Sequence, residues 1–471
     1  MANTASETGS WRELLSDHLG IATVLAAGVA LYSTNEFLTV SLLPSAVMEF
    51  GGRRLYAWAT TLYLVGSVVA ATSVNPLLAR LGARSSYLMG LTVFGIASVA
   101  SAVAPSMEVL VAARSLQGVA GGLLAGLGYA LINSTLPHWL WTRGSALVST
   151  MWGVATLVGP TTGGLFAQFG LWRWAFGAMA MLTVLMAMLV PKVLTAAENE
   201  PSAVPSDHPA HRVPIWSLLL IGTGALAVSI AALPRHRVET VWLLAASALL
   251  VGAFIFVDWR MHVAVLPRGV FRPGPLKWIY VTMSAQMVAA MITTYVPLFG
   301  QRLGHLTPVA AGLLGAALAV GWVAGEVVSA SLDNPRLIGH VIAAAPLVMA
   351  SGLALGGLTQ HRNASADTIA LWALALLITG IGVGIAWPHL VVRAMDSADD
   401  PAESRAAAAA INIVQLVSAA FGAGLAGVIV NAAPGRSGTQ ARWLYAVFAI
   451  LAAATAFASY RATRGDRGSA R

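Results

Sequence analysis

The sequence predicts an all-α membrane protein with fourteen transmembrane helices, on three observations. First, 57% of its 471 residues are hydrophobic and only 10% are charged. Soluble domains carry about 25% charged residues, so this chain has too little charge to cover a water-facing surface. Second, the apolar residues gather into fourteen runs, most of them near the roughly 20 residues that cross a bilayer core. Third, Lys and Arg fall mostly in the short segments between the runs, as membrane topology would place them. That placement accounts for the net charge of +8, so no nucleic-acid partner is expected. Cysteine is absent, which excludes disulfides, thiolate metal sites and thiol chemistry.

The spans fall near residues 21–45, 57–78, 86–104, 109–135, 145–168 and 174–191. A central pair follows at 215–233 and 241–257, and then 278–299, 308–331, 338–358, 368–392, 406–431 and 442–460. An even count places both termini on one side. With the termini inside, 17 Lys and Arg face inward, 9 face outward and Arg114 lies within a span. The inverse orientation would violate the positive-inside rule. Segment 1–20 reads as an inner tail, because the apolar run after it is too long for a signal peptide. Residues 192–214, rich in Pro, Ala and Ser, read as an inner linker. Residues 258–277 mix basic and apolar side chains and read as an inner linker along the membrane surface. Residues 461–471 form an inner tail. Six spans (21–191) thus precede the central pair (215–257) and six (278–460) follow it, an arrangement consistent with transporters built of repeats.

A few residues inside the runs carry chemistry. Of 19 Asp and Glu, only Glu36 and Glu326 lie well inside spans, and intramembrane acids are rare and functional by default. Arg114 in the fourth span costs about 2.5–3.5 kcal/mol even on a permissive insertion scale. It must face a partner or water, or else snorkel to the outer surface. Glu36 and Arg114 lie at depths that differ by only about 5 Å at 1.5 Å per residue, so they can meet if the first and fourth spans are neighbours. Glu326 is either a second protonation site or a group that reaches inner-surface water.

Several ordered motifs resemble the major facilitator superfamily. Arg80, Gly82 and Arg84 match the G-x-L-a-D-R-x-G-R-r turn between spans two and three. Asn75 replaces its leading Gly, and Ala79 replaces the Asp that in the family helps to close the inner side. Asp333 and Arg336, after span ten, resemble the partner version of that turn. Arg114, Gln117 and Gly118 match R-x-x-Q-G in span four. Gly159, Pro160, Gly163 and Gly164 match the G-P-x-x-G-G element of the family's antiporters. Tyr295, Pro297, Gln301, Gly304, Pro308 and Gly312 resemble a step between spans nine and ten of the fourteen-span drug:proton antiporter branch. In that branch's first-span signature an Asp stands where this chain has Tyr32; Glu36 lies four residues on, one turn away on the same face. The resemblance implies two six-helix bundles plus two extra central helices.

The resemblance further implies proton-coupled export of amphipathic, drug-like compounds by alternating access. Loss of water favours a protonated carboxyl and a nearby guanidinium favours an ionised one, so a Glu held between these pulls can exchange protons near neutral pH. Glu36, Arg114 and Glu326 are the expected proton-coupling residues. A structural ion pair fixing helix register is the alternative role for Glu36 and Arg114. One proton moving inward across 100 mV releases about 2.3 kcal/mol. Polar and aromatic residues expected at a substrate cavity are Tyr32, Asn35, Tyr63, Gln117, Asn133 and Trp152 in the first half. Gln286, Tyr295, Trp322, Trp387, Asn412 and Gln415 are their counterparts in the second. The same residue types also serve as interhelical packing and interface anchors. His138 and His389, near inner helix ends, are expected in solvent. The expected partners are a small amphipathic substrate, protons and membrane lipids, with the protein acting as a monomer without cofactor or metal. A lipid, glycolipid or natural-product exporter is the alternative within transport. An intramembrane enzyme or a sensor is a further alternative, although H-E-x-x-H and G-x-S-x-G signatures are absent. The Ala, Gly and Arg bias points to the plasma membrane of a bacterium.

Overall fold

Long apolar runs in lipid can satisfy their backbone groups only within a helix or a closed barrel. The computed structural model describes residues 11–463 except 52, 138–139, 195–213, 234–235, 262–263, 330–331, 333, 398–400, 434 and 436, and every regular element among them is helical. The first half contains α1 (Trp11–Ser16), α2 (Leu19–Phe50), α3 (Tyr56–Thr72), α4 (Val74–Ala102), α5 (Met107–Ala130), α6 (Ile132–Thr135), α7 (Trp141–Gln168) and α8 (Trp172–Val193). A hairpin follows, of α9 (Ile215–Ala231) and α10 (Arg237–Arg260). The second half contains α11 (Leu276–Ala290), α12 (Val296–Gly304), α13 (Pro308–Ser329), α14 (Pro335–Thr359), α15 (Ala366–Gly384), α16 (Trp387–Asp396), α17 (Pro401–Ala432) and α18 (Ser437–Ala462). Asp333 and His138 lie outside the described residues, as do most of the linker 192–214 and parts of both tails.

Each of the fourteen expected spans coincides with a helix or with consecutive helices. Among the described residues ten helices are long and apolar enough to cross a membrane, and eleven if the bent pair of α11 and α12 is one span. That pair turns by 40° through Met291–Thr294. Two further apolar helices, Trp58–Ala71 within α3 and Ile215–Ala231, are shorter. The turn that carries Arg80 and Arg84 depends on Gly82, whose φ of 75° and ψ of 172° break the helix; only glycine takes that backbone without strain. Arg80 is exposed and Arg84 half-buried. Arg336 is exposed in the first turn of α14, and Asn334 caps that helix by accepting from the N–H groups of Arg336 and Leu337.

Within the first half α2 packs on α7 and α3 on α5; within the second, α13 packs on α15 and α14 on both α15 and α18. The halves meet along α7–α13 and α3–α17. The hairpin sits outside this seam. Helix α9 packs on α17 and α3, while α10 exposes Val238, Val241, Trp242, Leu249, Ile255, Phe256 and Trp259. An apolar face of that extent is a liability in water and is at home in lipid. Basic side chains stack on aromatic rings at the end of α10, the start of α11 and the end of α18: Arg260 on Phe256 and Trp259, and Lys277 and Arg461 on Trp278. Such pairs suit a membrane–water interface.

Two fastenings hold the hairpin. At one end Asp258 accepts from Ser217 Oγ and from the N–H groups of Val265 and Leu266, each at 2.8 Å, tying the linker after α10 to both hairpin helices. At the other end, last-turn carbonyls of α9 accept from both halves: Trp58 Nε1 donates to Ser229 O and Asn431 Nδ2 to Ala232 O, each at 2.7 Å. Ser229 O also accepts the Ala232 N–H at 3.2 Å, so the bond from Trp58 adds to the cap of the helix end.

Candidate functional site

A cavity of about 210 Å³ opens on the seam between the halves. Its wall combines Glu36, Phe37 and Ser41 from α2, Trp152, Thr156 and Pro160 from α7, and Met287 and Met291 at the α11 bend. Trp322 and Glu326 from α13, Trp387 from α16 and Gln415 from α17 complete it. Glu36 and Glu326 are its only charged groups among the described residues. The cavity is smaller than the pockets of about 300–1,000 Å³ that drug-sized ligands occupy.

Glu36 is buried at 7% exposure, and its Oε2 has no hydrogen-bond partner in the protein. Arg114 is 1% exposed, so it does not snorkel. The two do not pair directly. Arg114 Nη1 instead donates to Asn35 Oδ1 and, at 3.0 Å, to Gln117 Oε1. Its guanidinium lies 3.9 Å from the centre of the Tyr63 ring. Gln117 is fixed in turn by donating from Nε2 to Ser98 Oγ at 2.9 Å. The residues one step apart on α2 therefore divide the work: Asn35 turns to α5 and Glu36 to the cavity, as about 100° per residue requires. Asn35 Nδ2, Glu36 Oε2 and Arg114 Nε all lack protein partners. Buried orphans are costly, at about 1–3 kcal/mol each, and their gathering at one place marks it as more than packing.

Tyr32 is fully buried between Tyr63, stacked at 5.3 Å, and Trp152, edge-on at 5.5 Å. Tyr63 donates its hydroxyl to Tyr32 O at 2.8 Å. Tyr32, Asn35, Tyr63 and Gln117 thus form a layer behind the cavity wall. Trp152, Trp322, Trp387 and Gln415 stand on the wall, with the Trp322 and Trp387 rings 5.3 Å apart. Gln286 lies behind it in the second half, donating to Gly382 O at 3.4 Å. The side chains of Asn133 and Asn412 lie outside the described residues.

The antiporter-like element lies at the crossing of three helices. A Cβ on Gly163 would stand 2.5 Å from Leu38 O of α2, and one on Gly164 2.6 Å from Val309 Cα of α13. Any side chain there would push α7 off its neighbours. Pro160, inside α7, leaves the helix one backbone hydrogen bond short and reaches the cavity wall.

Tyr295 belongs to a different space. A second cavity, of about 810 Å³, lies at the end that bears the α2–α3 and α17–α18 turns. Tyr56, Tyr295, Arg302, Arg362, Asn431, Ser437 and Gln440 line it. Tyr56 and Tyr295 face each other at 5.1 Å, and Tyr56 donates to Thr294 O. The bend before α12 divides the two spaces, since Thr293 and Pro297 line the central cavity while Tyr295 and Leu298 line the end vestibule.

Sequence reasoning missed Asp258 as a fastening, because its partners arrive from a linker and another helix. His389 also differs from expectation: it is half-buried and reaches Ser329 Oγ at 2.9 Å, linking α16 to α13.

Two packed helical halves meet around a seam cavity in a chain rich in membrane-length apolar helices, an architecture of membrane transporters. The chain belongs to the Major Facilitator Superfamily, whose family profile matches residues 25–423. It is 71% identical to a probable multidrug-efflux transporter of Mycobacterium tuberculosis, across 99% of both chains. It is 28% identical to a puromycin resistance protein of Streptomyces alboniger, covering 88% of this chain and 82% of that one. A solved D-xylose-proton symporter shares the fold, with a TM-score of 0.65 at 16% identity over 96% of this chain and 99% of that one. The protein is thus a multi-pass membrane transporter rather than an enzyme.

Proposed function

We propose that the protein exports amphipathic, drug-like cations in exchange for protons, by alternating access in a bacterial plasma membrane. One observation carries this reading: a buried carboxyl with an unpartnered oxygen, Glu36, lies on the wall of an apolar, aromatic cavity with no cation among its described residues. Trp152, Trp322 and Trp387 offer ring faces that attract a lipophilic cation, and Met287 and Met291 adapt to its shape. The full-length similarity to a multidrug-efflux transporter supports the export direction. Glu36 binds either a proton or the ion pair with its substrate. Arg114, held off by Asn35 and Gln117, acts on it from behind the wall without neutralising it. Glu326 supplies a second carboxyl to the same cavity.

The proposed topology has fourteen crossings with both termini inside. Six-span bundles (21–191 and 278–460) flank the hairpin (215–257), as in the fourteen-span drug:proton antiporters, and the protein acts as a monomer. The basic–aromatic stacks at Arg260, Lys277 and Arg461 then mark the inner interface, and the end vestibule faces outward. The turn of Arg80, Gly82 and Arg84 closes the inner side, with Arg336 at the matching place in the second half. Gly159, Pro160, Gly163 and Gly164 form the surface on which α7 moves against α2 and α13.

Exchange of one proton for one monovalent cation is electroneutral. The pH gradient alone then drives it, and one pH unit supplies about 1.4 kcal/mol, or a tenfold substrate gradient. Ethidium transport in proteoliposomes tests this. Export should follow an imposed pH step and be unchanged when valinomycin sets the membrane potential. Glu36→Gln should abolish the response to pH while the protein stays folded. Normal pH-driven export by that variant would remove Glu36 from coupling.

A further inference from the structure

The two cavities on the transport axis carry opposite charge. The central one holds Glu36 and Glu326 and no cation, whereas the end vestibule holds Arg302 and Arg362 and no acid, among the described residues. The vestibule is polar at its floor, where the Tyr56 and Tyr295 hydroxyls lie within electrostatic reach of Arg302. A charge sign that reverses over one layer of side chains makes the two spaces unequal in their attraction for a cation. A cation arriving from the vestibule meets repulsion before it meets a carboxyl. Clefts of one charge sign focus such fields and change local ion concentrations well beyond what a single surface charge does.

We propose that Arg302 and Arg362 hold the vestibule at a positive potential that weakens cation rebinding from that side, a one-way step in affinity that sharpens charge selectivity while the proton gradient sets the direction of net transport. The role as a one-way step rests on the cation-export reading; the positive potential itself does not. No bound anion is required. The effect is long-range and therefore sensitive to ionic strength, because the screening length shrinks from about 30 Å at 0.01 M to 3 Å at 1 M salt.

The absence of cysteine makes a direct test simple. Ser437→Cys places one thiol on the vestibule wall. Its reaction rates with sulfonatoethyl and trimethylammonium-ethyl methanethiosulfonate, normalised to free cysteine, read the local potential. Two arginines at several ångströms in water should favour the anionic reagent by about tenfold at low salt. The preference should vanish in 1 M salt and fall several-fold in Arg302→Gln/Arg362→Gln, any remainder being that of Arg436, next to the thiol in the sequence. Should the double variant fold poorly, exposed Arg362→Gln alone should lower the preference about threefold. A ratio equal to that of free cysteine, or one the arginine changes leave intact, overturns the proposal.

A second reading addresses return. Tetraphenylphosphonium added on the vestibule side should inhibit efflux several-fold more strongly in the double Gln variant than in the parent, at low salt only. Equal inhibition in both proteins, with the reagent preference intact, refutes the one-way role while leaving cation export standing. Absence of any cation export by the parent refutes the export reading, and with it the one-way role.

Discussion

Both halves that close on the central cavity pack helices backbone to backbone, but the first adds a lattice of polar side chains around a buried charge. In the first half a Cβ on Gly118 of α5 would fall on the Tyr63 carbonyl of α3, and around that contact Arg114 joins Asn35 of α2, Gln117 joins Ser98 of α4, and Tyr32 and Tyr63 stack. In the second half α13 and α15 rely on the backbone contact. A Cβ on Gly380 would stand 1.7 Å from Leu318 O, and one on Gly384 2.0 Å from Trp322 O. Side-chain bonding fixes where charge sits, while backbone contact ignores charge but tolerates no added volume. The first half can therefore hold an ionic constellation steady. The second offers Met287, Met291, Trp322 and Trp387 as an apolar wall for shape.

The largest expected effect breaks the first half's side of this contrast. Hydrogen bonds to a charged group contribute about 1.5–3 kcal/mol each, and Arg114 makes two of them. Lysine keeps the charge but not the planar fork that reaches two partners. Arg114→Lys should cut ethidium efflux about 100-fold, with circular dichroism and a monodisperse elution profile unchanged. Efflux at the parent rate would make the polar lattice dispensable and dissolve the contrast.

A smaller effect belongs to the second half and should have the opposite character. Gly380→Ala adds volume and no charge, and overpacking costs about 1–3 kcal/mol. The midpoint of thermal unfolding in detergent should fall by several degrees, while the pH dependence of efflux by the folded fraction keeps its shape. Gly222→Ala is the control, since its new methyl would meet nothing nearer than Val65 Cγ1 at 3.7 Å. Equal effects of the two would mean that α13 and α15 give way readily.

Much of this was legible in the sequence, and the failures have a common cause. The helices were legible because apolar run length is a direct physical signature of a bilayer. The burial of Glu36 and Arg114 was legible because charge in an apolar run has few tolerable places. Their pairing was not. Residue counting gives depth along a helix, but direction around it turns about 100° per residue, so it was Asn35 rather than Glu36 that met Arg114. The placement of Tyr295 in the vestibule rests on the bend at Met291–Thr294, which apolarity alone does not announce. Asp258 escaped notice as a fastening for a related reason: two of its three bonds come from backbone N–H groups, which carry no side-chain signal.

The smallest expected effect lies where the halves are joined. Helix α9 takes one hydrogen bond from each, from Trp58 of the first and Asn431 of the second, both near the outer end in the proposed topology. If the halves part there when the protein opens outward, the α9 terminus cannot follow both. Trp58 is the weaker anchor to expect, because α9 packs more extensively on α17 than on α3. A neutral hydrogen bond contributes about 0.5–1.5 kcal/mol, which corresponds to a two- to twelvefold change in the balance between conformations. Trp58→Phe should therefore raise the labelling rate of Ser437→Cys by a neutral maleimide several-fold, with little change in unfolding temperature. Trp372→Phe removes a similar indole bond, to Thr359 O, that lies wholly within the second half. It should leave the labelling rate unchanged. If both variants label alike, the hairpin follows the halves passively, and the two-sided grip on α9 has no part in setting which side is open.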